Sequence, residues 1–314
     1  MKRSKRAKNS DKVLSFDLGG TKLGAGLFEV VSIVNQKQVA APVKLLTHEQ
    51  IQVDWSQGTQ GVLAQFHELG RLVCEKAGAS MADVASVGLA SAGPINTLKG
   101  TILNPINFAG GAIASHAVNS QFRQWAIVKD LVKLFKKEVA FENDAACAAL
   151  GEQAQGVAKG CDDFLLLTLG TGLGTAIVNQ GRLVSARSGL HTEAGHFVLS
   201  LSDTAPLCNC GTRGCAEAYL CSKGYAAVGE AEYVRRLTQF IRSFAVVFAP
   251  KQIVIGGGFG SKVFLEIESK LKLGVAEALS GWKESGVSLP KIVAAKLKNE
   301  AGLVGAAVLA SRGL

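Results

Sequence analysis

The sequence predicts an α/β protein of two domains built on a repeated plan. Three observations carry the prediction. An apolar run, a turn rich in Gly and Thr, and a second apolar run occur twice, first at residues 13–31 and again at 164–178. Short apolar strands are interleaved with segments whose apolar residues recur at steps of three and four, the mark of helices covering a sheet. The chain has 314 residues, of which 48% are hydrophobic and only 6 are proline. That is long enough for two ordinary cores and too apolar for disorder.

Residues 13–16 are apolar and stop at Asp17; Gly19, Gly20, Thr21 and Lys22 follow, then the apolar run 23–31. This reads as strand, turn, strand. Paired glycines permit a tight backbone, and consecutive N–H groups with the Thr21 hydroxyl can point at an anion. Taken alone, an ordinary glycine hairpin accounts for it equally well. Residues 84–93, VASVGLASAG, read as a strand and a small-residue loop that Pro94 ends, and LNPINFAGG at 103–111 as a loop. Phe122, Trp125, Val128, Leu131, Val132 and Phe135 predict an amphipathic helix over 121–136. A strand at 139–141 ends in Glu142, Asn143 and Asp144, and a helix over 145–156 follows at once. Residues that end a strand and open a helix are where open α/β sheets place their chemistry. Helix capping explains one of Asn143 and Asp144, and leaves the second unexplained.

The second half repeats the plan. Residues 164–169 run into Gly170, Thr171, Gly172, Leu173 and Gly174, then 175–178. Two such turns facing each other can hold a polyphosphate from both sides. Residues 218–250 have room for one helix, roughly 230–248, and little else. An apolar strand at 252–255 enters Gly256, Gly257, Gly258 and Gly260, and an Ala-rich helix over 300–312 closes the chain.

Cys208, Cys210 and Cys215 are three of the seven cysteines, spaced Cys-x-Cys-x4-Cys with Gly211 and Gly214 between them, and His196 lies twelve residues upstream of the first. Glycines let a short loop fold back until three sulfurs converge. One imidazole and three thiolates complete a tetrahedral Zn2+ shell with no open position, which argues for a structural rather than a hydrolytic ion. The bland alternative is three buried thiols in a tight turn. Glu193 and Glu217 flank the cluster, so a metal fixing this loop also fixes two carboxylates suited to the hydroxyls of a polyol.

The net charge of +9 raises the question of nucleic acid. Residues 1–12 supply +5 of it, leaving a mild +4 for the rest. That tail has no aromatic residue for base stacking, so it reads as a solvated terminus rather than a nucleic-acid-binding arm. No run of eighteen apolar residues and no signal-peptide pattern is present. A cytoplasmic protein without membrane or nucleic-acid partners is expected, and there clustered cysteines are metal ligands more often than disulfides.

EAGH followed by CNCGTRGCAE resembles the signature of the ROK family of sugar kinases and sugar-responsive repressors. DLGGT, LGTGLG and the Gly-rich corner, in that order, resemble the two phosphate motifs and the adenosine motif of the actin-like ATPase superfamily. The resemblance implies two actin-like, ribonuclease H-like domains with an ATP and sugar cleft between them. The first comprises residues 13–141 plus 300–314, the second 142–299, and residues 1–12 form a basic tail. It further implies Asp144 as catalytic base, with Asn143, Asp144, Glu193, His196 and Glu217 on the sugar and His196 also a zinc ligand. Asn107 falls on a sugar-binding Asn of the family, with Asn119 the alternative if an insertion has shifted that loop. Asp17, Gly19, Gly20, Thr21, Lys22, Gly170, Thr171, Gly172, Gly256, Gly257 and Gly258 are implied on the ATP and Mg2+ side. A hexokinase acting on glucose is expected, with fructose, mannose and N-acetylhexosamines as alternatives, in a homodimer. Family repressors carry a DNA-binding module ahead of DLGGT, and sixteen residues before Asp17 are too few for one.

Overall fold

The computed structural model describes residues 12–31, 43–104, 108 and 120–312. Their framework is two five-stranded sheets of the same design. In the first, β1 (Lys12–Leu18) pairs antiparallel with β2 (Lys22–Val30), and β2 with β3 (Val43–Gln52). On its other edge β1 lies parallel to β4 (Val84–Ser91), which is parallel to β7 (Val139–Asn143). The two-residue strands β5 (Ile95–Asn96) and β6 (Thr101–Ile102) pair separately. The second sheet repeats the scheme. Here β8 (Phe164–Leu169) pairs antiparallel with β9 (Leu173–Asn179), and β9 with β10 (Arg182–Leu183). On the far side β8, β11 (Gln252–Gly256) and β12 (Lys291–Ala294) run parallel. The duplication predicted from the Gly turns therefore extends to whole sheets.

The central strands are apolar on both faces because both faces are covered. In β1, Leu14, Phe16 and Leu18 enter a core shared with α1 (Gly58–Lys76) and α2 (Ile127–Phe135), while Val13 packs on the opposite side. That opposite side is filled by α9 (Ala301–Ser311), which is buried almost all round. α9 lies against both β4 and α3 (Asp144–Gln155), and the approach is so close that side chains are excluded. A Cβ on Gly305 would fall 1.6 Å from the Cys147 carbonyl oxygen, and one on Gly88 would fall 2.1 Å from that of Ala306. α3 in turn packs its Ala145, Ala148 and Ala149 on Leu166 and Ala176 of the second sheet. Glu152, fully buried in α3, accepts from the Val157 and Leu297 amides at 2.7 Å each and so ties the approaches to both sheets together. The other face of the second sheet carries α4 (Ala216–Leu220), α6 (Glu230–Phe248) and α7 (Gly260–Ala278).

Two expectations need correction. The helix predicted over 121–136 begins only at Ile127. Gln124 has φ +53, and Trp125 exchanges backbone hydrogen bonds with Ile102 at 2.9 Å in both directions. Phe122 and Trp125 owe their apolar character to an aromatic cluster with Trp55 and Phe108, not to a helix face. Residues 218–250 hold more than one helix. α6 has the predicted span, but α4 and α5 (Ser222–Val228) precede it, separated by Cys221 and by Gly229 at φ +76. α5 is anchored by the Gly224 amide donating to Cys221 Sγ at 3.4 Å. Sequence reading also left β3, α1, α7, α8 (Ser280–Glu284) and β12 unassigned.

Candidate active site

The C-terminal ends of β1, β4, β7 and β8 face a common cleft, and the two Gly turns line it from opposite walls. In the first turn the Gly19 amide donates to the Lys22 carbonyl at 2.9 Å. Val53 N–H donates to the Thr21 carbonyl at 3.0 Å and the Trp55 indole to that of Gly20 at 3.0 Å, so the turn is held from outside the cleft. In the second, the Gly170 amide donates to the Gly172 carbonyl at 3.0 Å, and the Ser222 amide to that of Gly170 at 2.9 Å. The scaffold thus engages the carbonyls of Gly20, Thr21 and Lys22 in the first turn and of Gly170 and Gly172 in the second. The N–H groups of Gly20, Thr21, Thr171 and Gly172 have no partner among the described residues, an arrangement suited to phosphate oxygens.

A cavity of about 470 Å³ between these turns is lined by Asn143, Asp144, Glu193, His196 and Glu217 as well as by Gly19, Gly20, Thr21 and residues 170–175. Asn143 caps α3: its Oδ1 accepts from the Ala145 and Ala146 amides at 2.9 and 3.3 Å, which leaves Nδ2 for the cleft. Asp144 opens the same helix and accepts from the Ala145 amide at 2.8 Å through one oxygen only. Burial raises its pKa, against the opposing pull of that hydrogen bond and of His191. Glu193 reaches over Gly93, where a Cβ would stand 2.4 Å from its Oε1. Loss of bulk water between the cleft walls, then the charges of Asp144 and Glu217, push its carboxyl up to about 7.

An adjoining cavity of about 770 Å³ shares Gly19, Asp144 and Thr168 with the first and is lined by Asp17, Lys22, Gly256, Gly257 and Gly258. The predicted ATP-side residues thus divide between two connected spaces. Asp17 is pressed against Gly302 at the start of α9, and a Cβ there would meet its Oδ2 at 2.5 Å. Burial and the nearby charge of Asp144 raise its carboxyl from 3.8 to about 7. Two carboxylates held near each other, Asp17 and Asp144, suit a hard divalent cation such as Mg2+.

His196 ends a 3-10 turn at Ala194–His196, and its Nδ1 lies 3.5 Å from Cys208 Sγ; Cys210 and Cys215 sulfurs are 3.6 Å apart. All four donor atoms fall within 4.8 Å of one another. Zn–S bonds of about 2.3 Å and Zn–N of about 2.0 Å require tetrahedral edges of about 3.5–3.8 Å, which the His196–Cys208 and Cys210–Cys215 separations match, so the donor set suits zinc. Gly211 and Gly214 take φ of +91 and +78 to close the loop, as the spacing predicted. Burial drives the Cys208 and Cys215 thiols upward, Cys215 to about 11; bound zinc would reverse this by taking the thiolates. Glu217 connects this loop to the cleft. One oxygen accepts from the Leu173 amide at 3.1 Å, in the second Gly turn, and the other from the Cys208 thiol at 3.5 Å.

Asn107 and its alternative Asn119 lie outside the described residues. Among the cleft residues that escaped the sequence reading are His191 and Thr192. They precede Glu193 directly, and their position beside that motif was the one available signal.

A profile of the ROK family matches residues 13–232 and 225–312. The chain is 27% identical over 340 residues to the glucokinase of Thermotoga maritima, an alignment covering 94% of this chain and 96% of that one. It is likewise 27% identical over 332 residues to an N-acetyl-D-glucosamine kinase of Yersinia pseudotuberculosis, with 94% and 97% covered. Among solved structures, the ROK hexokinase from Thermus thermophilus superimposes with a TM-score of 0.72 at 27% identity, over 96% of this chain and 98% of that one.

Proposed function

This chain belongs to the ROK family and is an ATP-dependent sugar kinase of two actin-like domains; we infer that its acceptor is the 6-hydroxyl of glucose. The observation that supports the assignment of roles is the meeting of Asp144 and both Gly turns on one cavity. Phosphoryl transfer asks the protein mainly for alignment and charge neutralisation. Asp144 takes the proton of the attacking hydroxyl; its free oxygen and raised pKa suit a general base. Asn143 Nδ2, Glu193, His196 and Glu217 hold ring hydroxyls, with Asn107 as a further contact. Gly20, Thr21, Thr171 and Gly172 present N–H groups to phosphate, Gly19 and Gly170 shape the two turns around it, Lys22 adds positive charge, and Gly256, Gly257 and Gly258 take the adenosine. Asp17 would hold Mg2+, directly or through water, and the ion when bound offsets charge on the phosphate oxygens. His196, Cys208, Cys210 and Cys215 would hold a structural Zn2+, His196 through Nδ1 with Nε2 left for the sugar. The domain boundary falls between residues 141 and 142, with residues 300–314 returning to the first domain, and the protein works as a cytoplasmic homodimer.

The N-acetylglucosamine kinase among the relatives, as similar as the glucokinase, favours a second reading with an N-acetylhexosamine as acceptor. A panel of glucose, mannose, fructose, N-acetylglucosamine and N-acetylmannosamine in a coupled ATP-consumption assay tests both. Glucose is expected to give the highest kcat/KM. Preference for an N-acetylhexosamine replaces the first reading by the second, and turnover with none of the five removes both.

A further inference from the structure

Resting on the sugar-kinase reading of the cleft, we propose that His191 and Thr192 form an additional substrate subsite in which His191 Nδ1 accepts a hydrogen bond from a ring hydroxyl and the Thr192 hydroxyl pairs with the same region of the sugar. His191 Nε2 lies 3.0 Å from the Thr175 carbonyl oxygen. A carbonyl only accepts, so Nε2 carries the proton. Burial lowers the pKa of His191, more than the hydrogen bond to Thr175 and the charge of Asp144 raise it. A neutral ring protonated on Nε2 presents an unprotonated Nδ1, an acceptor that has no partner among the described residues. Thr192 supplies an independent observation. Its hydroxyl is fully buried and unpartnered, one of two such side-chain atoms among the described residues, and the residue lines the same cavity. Unpaired buried hydroxyls are costly and uncommon; a ligand that supplies the missing partner recovers that cost. The two groups sit beside Glu193 and across from Asp144, which acts on His191 electrostatically. An acceptor-only nitrogen next to a hydroxyl selects for a donor on the sugar.

His191→Gln keeps an N–H for the Thr175 carbonyl while losing the Nδ1 acceptor, and Thr192→Val keeps shape while losing the hydroxyl. Sugar affinity is measured by calorimetry without ATP, and KM and kcat in the coupled assay. Each variant is expected to weaken sugar binding about tenfold, the worth of one hydrogen bond left unmade, with the ATP KM unchanged. Thr192→Val should melt no lower than wild type, because it removes an unpaired polar atom; a purely structural threonine would lower the Tm. Among 2-, 3- and 4-deoxyglucose, one analogue should bind wild type and His191→Gln equally, which identifies the hydroxyl. Equal sugar affinity in wild type and both variants overturns the subsite, as does a loss in His191→Gln that is the same for every deoxy analogue. A protein that binds sugar with these sensitivities yet phosphorylates none keeps the subsite and loses the kinase assignment.

Discussion

Asp144 combines a helix N-terminus, a cap neighbour and a buried setting, and each has a consequence that can be measured. Asp144→Asn preserves size and hydrogen bonding but takes no proton, so kcat should fall at least about 10²-fold with sugar affinity nearly unchanged. A variant retaining more than about a tenth of wild-type kcat would falsify the assignment of the base. Asp17 gives a prediction of opposite kind, about stability. A carboxyl whose pKa rises on folding, here from 3.8 to about 7, stabilises the fold fully below its unfolded value. That contribution is lost as pH climbs through 7. Metal-free, substrate-free protein should therefore lose stability as pH rises from 3.8 to about 7, and Asp17→Asn should flatten that part of the profile of Tm against pH. If the variant shows the same slope as wild type, the carboxyl titrates elsewhere. The sequence made Asp144, Asn143 and the Gly turns legible because their residue types are rare in such order. His191 and Thr192 were not legible: a histidine and a threonine in a loop carry no pattern until folding strands one ring nitrogen and one hydroxyl without partners.

At the scale of elements, two close approaches govern what can be changed. The Gly305 position in α9 leaves no room for a side chain against the Cys147 carbonyl of α3. Gly305→Val should force the helices apart and cost about 2 kcal/mol or more, read as a lower denaturant midpoint; a neutral result would mean the helices separate freely. The cysteine loop makes the other approach, since Glu217 joins the Cys208 thiol to the Leu173 amide. Cys210→Ser should lose metal, keep most helical content, and lose affinity for sugar far more than for ATP. Metal analysis of the wild type comes first, and purified, active protein without zinc would sink the site. The loop was readable because Cys-x-Cys-x4-Cys with glycines has few other uses. The start of α2 was misread because Phe122 and Trp125 imitate a helical stripe while serving an aromatic cluster, and the positive φ at Gln124 and the Trp125–Ile102 bridge reveal the difference.

For the molecule as a whole, the duplicated sheets were visible in outline because each announces itself by a strand, a Gly turn and a strand. Their outer strands were not, since β3 carries mixed polar and apolar residues on an edge and β12 spans only Lys291–Ala294. The halves are stitched together by α3 and α9, which lie side by side, with Ala301 of α9 packed in the cluster on the second sheet, Leu303, Val304 and Ala307 in the cluster on the first, and Leu297 against both. Unfolding should accordingly be one cooperative event. Circular dichroism should give the same midpoint as fluorescence, which reports Trp55 and Trp125 in the first core and Trp282 beside the second; separated midpoints would show that the halves melt independently. The same stitching bears on how the protein is made. The back of the first sheet, with Val13 and Phe28, is covered by a helix translated after the whole of the second sheet. As the nascent chain emerges, the amino-terminal sheet is left with one greasy side open to water until α9 arrives, so it cannot mature in the order of synthesis. A stop codon placed just before α9 would leave that exposure permanent, and the truncated chain should be held by chaperones or degraded although every residue of its catalytic cleft outside α9 has been made.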